Sequence, residues 1–349
     1  MSDRLARSAN IVILGGPAGS IPVLRQILTH LPAGLPAAVL VVIHQHRDSP
    51  AVLANIIGGG PMPVEYARDG EPIRAGCVYL AMPDRHLKIR DRHLRLERGP
   101  KENAHRPAVD ATLRWAASTY GPAATGVIVS GSLDDGTLGL IRLRRAGGYA
   151  IVQDPAEAEY AEMPRNAIAF AGPNLILPAA GIAPAIVQHL CQQPHHPPSR
   201  EPVMSEQLPT RRDTGTGAHH VPVPVELSEA RPETVAEYRR KFGPPSTFTC
   251  PACGGAIWEI GDGGTAEYRC HTGHRYGQDG FAAALSEDAE NALYAATRLL
   301  LDQARLYENI ANRIAETHPG DSGIEKYSQR AMTAQRQAEV LHGLLLEHE

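Results

Sequence analysis

Ala38 to Ile43 is an unbroken run of apolar residues, and Asn10 to Leu14 is a second run, apolar after its first residue. A strand with one wet face alternates apolar with polar. A run without alternation belongs to a strand covered on both faces, as in a parallel sheet between helical layers. The first run is followed by Gly15, Gly16 and Pro17, and a helical pattern from Ser20 to His30 separates it from the second. The alternation returns later, with Val127 to Val129, a helical stretch from Asp135 to Ala146, and Tyr149 to Val152. Strands alternating with helices predict a doubly wound, mostly parallel α/β sheet. Between the two halves, His86 to Arg90 and His93 to Glu97 alternate with period two about Asp91-Arg92, the pattern of a β-hairpin, although the turn has no glycine.

This α/β domain is expected over residues 1–193. Residues 194–246 hold Pro194, Pro197, Pro198 and further prolines with little periodicity, and read as a linker with a short helix near Pro232 to Lys241. A small cysteine-containing unit, 247–279, and a helical pair, 280–349, complete the chain. Phe281 to His318 contains no glycine or proline and carries Leu293, Ala296, Leu300, Tyr307, Ile310 and Ile314 at helical spacing. Pro319-Gly320 breaks it, and Tyr327, Ala331, Ala334, Ala338, Leu341 and Leu345 mark a second helix. The two should form an antiparallel hairpin whose stripes pack on each other. A docking face for another helical protein is the sharper alternative.

The chain carries 34 Lys and Arg against 38 Asp and Glu, a formal net charge of -4. That balance gives no bulk electrostatic reason to expect a nucleic-acid partner. No apolar run approaches the roughly 20 residues that span a bilayer, and the polar start has no signal-peptide core, so a cytoplasmic protein without membrane insertion is expected.

Cys77, Cys191, Cys250, Cys253 and Cys270 make five cysteines. The odd count and the clustering of three of them near a histidine favour a metal site in a reducing compartment over a disulfide framework. Cys250, Cys253, Cys270 and His274 give C-x2-C-x16-C-x3-H, a ligand set for tetrahedral zinc, with His271 as an alternative ligand. Four protein ligands leave no open position, so the zinc would be structural, in a zinc-ribbon-like unit. The bland reading is a group of buried, unliganded thiols.

Chemistry in an open α/β sheet collects at the C-terminal strand ends. The sequence places there Gly15 to Ser20, His44 after the second run, and Ser130 to Gly136. His44 and Asp135 suit an imidazole base oriented by a carboxylate. Taken singly, His44 could be a hydrogen-bonded rim histidine and Asp135 a helix cap.

These segments resemble the catalytic domain of the chemotaxis receptor methylesterases (CheB type). The family's motif of the form G-A-S-A-G-G is matched by Gly15-Gly16-Pro17-Ala18-Gly19-Ser20, its V-V-x-H by Val41 to His44, and its G-M-G-x-D-G by Gly131 to Gly136. Likeness continues through Pro83 to Leu87, His105 to Asp110, Asp154-Pro155 and Met163-Pro164. The resemblance implies hydrolysis of glutamate methyl esters on chemoreceptor helices by a serine, His44 and Asp135. With the first strand starting at Asn10, a stand-alone catalytic domain without the phosphoacceptor receiver of the chemotaxis members is expected.

Pro17 departs from the pattern at the nucleophile. It has no hydroxyl to acylate and no N–H to offer an oxyanion. One expectation is a silent member that binds a receptor or other signalling protein, with the C-terminal helices as a docking part. The other is an active ester hydrolase in which Ser20 has taken over. Three residues displace a hydroxyl by roughly 5 Å along a helix, more than catalytic geometry tolerates, so Ser20 reads better as a helix N-terminal residue. A nucleotide site at Gly15-Gly16 is a third reading, but G-x-G-x-x-G would need glycine at 17 and 20.

Overall fold

The computed structural model describes residues 10–50, 52–192, 234–261 and 265–346. Most of the expected linker and the turn at 262–264 lie outside them. The chain divides into two compact units, Met1–Phe281 and Ala282–Glu349.

The first unit is built on a seven-stranded sheet. Its strands are β1 (Asn10–Gly16), β2 (Ala37–Ile43), β3 (Val64–Tyr66) and β4 (Val78–Leu80), then β7 (Ala124–Ile128), β8 (Tyr149–Gln153) and β9 (Leu175–Leu177). All neighbours pair in parallel, in the order β3-β4-β2-β1-β7-β8-β9. The two unbroken apolar runs are β1 and β2, side by side and buried at every position. Successive side chains point to opposite faces of a strand. Ile11, Ile13, Leu40 and Val42 therefore join one core with α3 (Val109–Tyr120), α4 (Thr137–Arg145) and α5 (Glu162–Ala171). Val12, Leu14, Val39 and Val41 join the other, with α1 (Ile21–His30), the short α2 (Leu53–Ile57) and α6 (Ala179–Gln192). Each such buried aliphatic side chain contributes about 1.5–3 kcal/mol.

The expected hairpin is β5 (His86–Arg90) with β6 (His93–Glu97). Asp91 and Arg92 both adopt left-handed backbone, with φ of 50 and 59. A two-residue turn of that kind matches the twist of its strands and normally recruits glycine, so its absence hid the turn type in the sequence. Two boundaries differ from the sequence expectation. The helix placed from Asp135 begins at Thr137, because Asp135 is drawn to another partner (below), and the long helix begins at Gln278 rather than Phe281.

The cysteine unit belongs to this first compact unit. Strands β10 (Ile257–Gly261), β11 (Ala266–Cys270) and β12 (Arg275–Tyr276) form an antiparallel sheet. The short helix expected near Pro232 to Lys241 is α7 (Val235–Phe242), opened by a capping box between Thr234 and Glu237. Tyr238 of α7 is buried with its ring centroid 4.9 Å from that of Trp258 on β10. The cysteine unit therefore starts before Thr247.

α8 (Gln278–Thr317) leaves the first unit and continues into the second, where α9 (Ser322–Leu346) returns antiparallel to it. Ala304 and Ala311 of α8, and Ala331, Ala334 and Ala338 of α9, are buried between them, and Tyr307 lies 6.0 Å from Tyr327. Alanine at the seam allows close approach of the two backbones. No described helix is long and apolar enough to cross a membrane.

Candidate active site and cysteine cluster

β1 ends at Gly16, β2 at Ile43 and β7 at Ile128, on three adjacent strands flanking the point where the chain crosses from one side of β1 to the other. The loops after them hold Pro17, His44 and Ser130 to Gly136, and they converge. The His44 amide donates to the Gly16 carbonyl at 3.3 Å, and a Cβ added at Gly131 would come within 2.6 Å of the Pro17 ring.

The Nε2 of His44 lies 2.6 Å from Oδ2 of Asp135. The carboxylate is fully enclosed and has three further donors. Val109 N reaches Oδ2 at 2.7 Å, and Asp110 N and Asn103 Nδ2 each reach Oδ1 at 3.1 Å. Two of these donors are the first amides of α3, where the helix dipole favours negative charge. Asp135 thus serves as an anion for the N-terminus of α3 and does not cap α4, whose N-cap is Gly136. Burial pushes its carboxyl up, but the His44 bond and charge and the Val109 amide outweigh burial and hold it down at about 2. An ionised carboxylate can only accept, so Nε2–H of His44 is the donor in this bond. A base at this position would act through Nδ1, the nitrogen that carries the lone pair when the imidazole is neutral and Nε2 is protonated.

The imidazole is further fixed by His105, stacked on it at 3.8 Å between centroids and 10° between planes. Burial, followed by the neighbouring His44, depresses the His105 pKa to about 4, so His105 is neutral at neutral pH. Beneath this pair, burial and then the charge of Asp135 push the Asp110 carboxyl well above the usual carboxylate range. Asn103, His105 and Asp110 were not assigned roles from the sequence. Asn103 carried one weak signal, since asparagine tolerates left-handed backbone and here takes φ 48.

The nucleophile side is different. Pro17 is extended at φ -75 and ψ 179 and leads into a short turn, Ala18 to Ser20. The Ser20 side chain is completely buried, and its hydroxyl donates 2.6 Å back to the Pro17 carbonyl. Ser130 Oγ accepts from the Tyr160 amide, and Ser132 is exposed. Leu133 stands where the family pattern has its second glycine and takes φ 64, with its amide donating to Glu162. Further segments of the family likeness meet around this cleft. Arg106 pairs with Asp84 at 2.5 Å, and Met163 packs over Gly131.

In the cysteine unit the structure brings together the four residues predicted from spacing. One ligand atom each from Cys250, Cys253, Cys270 and His274 all lie within 4.8 Å of one another. His271 stays apart, with its ring against Gly255.

The α/β domain matches the family model of the CheB methylesterases over residues 12–186. The chain is similar to a protein-glutamate methylesterase/protein-glutamine glutaminase of Rhodospirillum rubrum, 35% identical over 191 residues that make up 53% of each chain. A counterpart in Rhizobium johnstonii is 34% identical over 177 residues, 50% of this chain and 48% of that one. The chain spans about half the length of the curated relatives it matches. The crystal structure of the Thermotoga maritima CheB methylesterase catalytic domain superposes with a TM-score of 0.50 at 31% identity, covering 52% of this chain and 98% of that one. By its sheet, its cleft and this match across half its length, the chain belongs to the CheB methylesterase family.

Proposed function

We propose that this protein is a methylesterase-family component of chemosensory signalling that binds a glutamate ester or amide side chain of a receptor-like protein and hydrolyses it very slowly or not at all. The observation that carries the reading is Pro17 at the loop beside His44, where the family's serine would stand. An oriented imidazole with a free Nδ1 has no hydroxyl to activate there. The relatives named above are methylesterases and glutaminases of protein side chains, which gives the ligand class. The cleft retains His44, Asp135 and His105, so it keeps a polar floor for a planar ester or amide group. Ser20 is a poor replacement nucleophile because its hydroxyl is buried and engaged with the Pro17 carbonyl. The C-terminal helices are the proposed docking part for a signalling partner, the sharper of the two readings of their stripes.

A fluorophosphonate probe reports on activated serines and separates the two readings. The native protein should remain unlabelled, and methanol release from a γ-methyl-glutamyl peptide should stay at background. Loss of a triad nucleophile typically costs on the order of a million-fold in turnover. Pro17→Ser should gain labelling at residue 17. Labelling of the native chain that Ser20→Ala abolishes would replace this reading with an active hydrolase using Ser20.

A further inference from the structure

The cysteine cluster and the cleft are joined by a short bonded path. Three edges of the cluster have tetrahedral lengths. Cys250 Sγ and Cys270 Sγ lie 3.7 and 3.4 Å from His274 Nδ1, and Cys253 Sγ lies 4.0 Å from Cys270 Sγ. A centre with bonds of about 2.3 Å to sulfur and about 2.0 Å to nitrogen requires edges near these lengths. The amide of His274 points at Cys270 Sγ at 3.2 Å, as expected for a thiolate acceptor.

The chain leaving His274 runs directly onto the α/β domain. Arg275 pairs with the buried Glu267 at 3.0 Å, and Glu267 also holds Arg142 of α4 at 2.5 Å. The Arg275 carbonyl accepts from the Asn103 amide at 2.8 Å, and the Gly277 amide donates to Asn103 Oδ1 at 2.6 Å. Asn103 is buried, and its Nδ2 is the group that donates to Asp135 and to Asp110. The two ends of one side-chain amide thus hold the cysteine unit and the carboxylate that orients His44. The fit is close. A Cβ at Gly277 would overlap the Asp134 carboxylate, and Asp134 already accepts from the Asp279 and Gly280 amides at 3.0 Å.

We propose that Cys250, Cys253, Cys270 and His274 bind one zinc ion, and that this ion, by fixing residues 275–277, seats the Asn103 side chain that positions Asp135 and His44. A small three-stranded unit has little core of its own, so the metal supplies much of the free energy that holds this chain segment in place. Asn103 is a positioning residue, acting on the imidazole through the carboxylate. None of this depends on whether an ester is cleaved.

The test uses the full chain, purified without chelator. Elemental analysis should find about one zinc per chain, and cobalt substitution should give the visible absorption of a tetrahedral thiolate site. In protein with nitrogen-labelled histidine, the proton in the 2.6 Å His44–Asp135 bond should give a downfield resonance. Removing zinc with chelator should shift or broaden that resonance, and adding zinc back should restore it. Gly277→Ala and Asn103→Ala leave all four ligands in place. Both should retain zinc and show the same change at His44. Protein without zinc, and unable to take it up on titration, would overturn the site. A resonance unchanged on zinc removal and in Gly277→Ala would overturn the coupling, whether or not Asn103→Ala folds.

Discussion

The two sides of the cleft are held very differently. On the acid side, Asp135 receives four donors from three separate segments, and His44 is clamped between it and His105. On the nucleophile side, Pro17 offers neither a side-chain donor nor an amide, and the Ser20 hydroxyl turns inward to close the turn. The imidazole is thus oriented by the acid side, beside a loop in which Pro17 carries no hydroxyl. The acid side has a second task that the nucleophile side lacks. Asp135 neutralises the start of α3 and so supports the fold whatever the chemistry.

The sharpest way to break this contrast is to compare truncations on the two sides. Asp135→Ala removes a buried charge and strands the Val109, Asp110 and Asn103 donors. It should cost about 3–5 kcal/mol, the usual penalty for breaking a buried ionic arrangement. Pro17→Ala removes no hydrogen bond and relaxes the unfolded chain slightly, so it should cost within about 1 kcal/mol. Urea midpoints for the two variants measure both. Equal losses would mean that the Pro17 loop carries as much of the fold as the carboxylate does.

The sheet was legible in the sequence because β1 and β2 are buried on both faces and therefore show no alternation. The strand ends carrying Pro17, His44 and Asp135 followed from it, and the four-residue metal pattern needed only spacing. Asn103 and His105 were not legible, because they act from an irregular loop, 102–106, whose shape is set by tertiary contacts rather than by periodicity. The docking of the cysteine unit was hidden for a related reason. Its contacts are polar and scattered, with Asn103 on Gly277, Arg142 on Glu267 and Asp134 on the start of α8. Such pairs leave no stripe in a sequence. The short helix α7 was legible near Pro232 to Lys241, but its packing through Tyr238 on Trp258 was not.

Two groups on the acid side should pull stability in opposite directions with pH. Burial raises Asp134 from an ordinary 3.8 to about 6, against the two amides that lower it. The folded state then binds the proton more tightly, so this contribution falls as pH rises from about 4 to about 6. Burial lowers His105 from 6.5 to about 4, so the unfolded state binds more protons over nearly the same window and stability rises with pH there. Each effect is worth on the order of 2–3 kcal/mol, and the two oppose each other. Relative to the native chain, Asp134→Asn should tilt the stability slope upward with pH, and His105→Gln should tilt it downward. Thermal unfolding of the three proteins between about pH 4 and 6.5 measures the differences. Parallel curves would show that neither group titrates in the folded state as its burial implies.

The smallest effect expected is at Ser20. Its hydroxyl makes a single hydrogen bond to the Pro17 carbonyl, and a typical bond of that kind contributes about 0.5–1.5 kcal/mol. The side chain is fully buried, and the space around it is tight, since a Cβ at Gly16 would contact it. Ser20→Ala keeps the Cβ and removes only the hydroxyl, so no large cavity opens. The variant should lose about 1 kcal/mol, and its histidine resonances should be unchanged, because among the described residues no hydrogen bond joins the Ser20 hydroxyl to His44. Combined with Pro17→Ser, the substitution should leave labelling at residue 17 intact. A change at His44 in Ser20→Ala would show that the hydroxyl reaches the imidazole in solution, and the nucleophile side would then be relocated rather than lost.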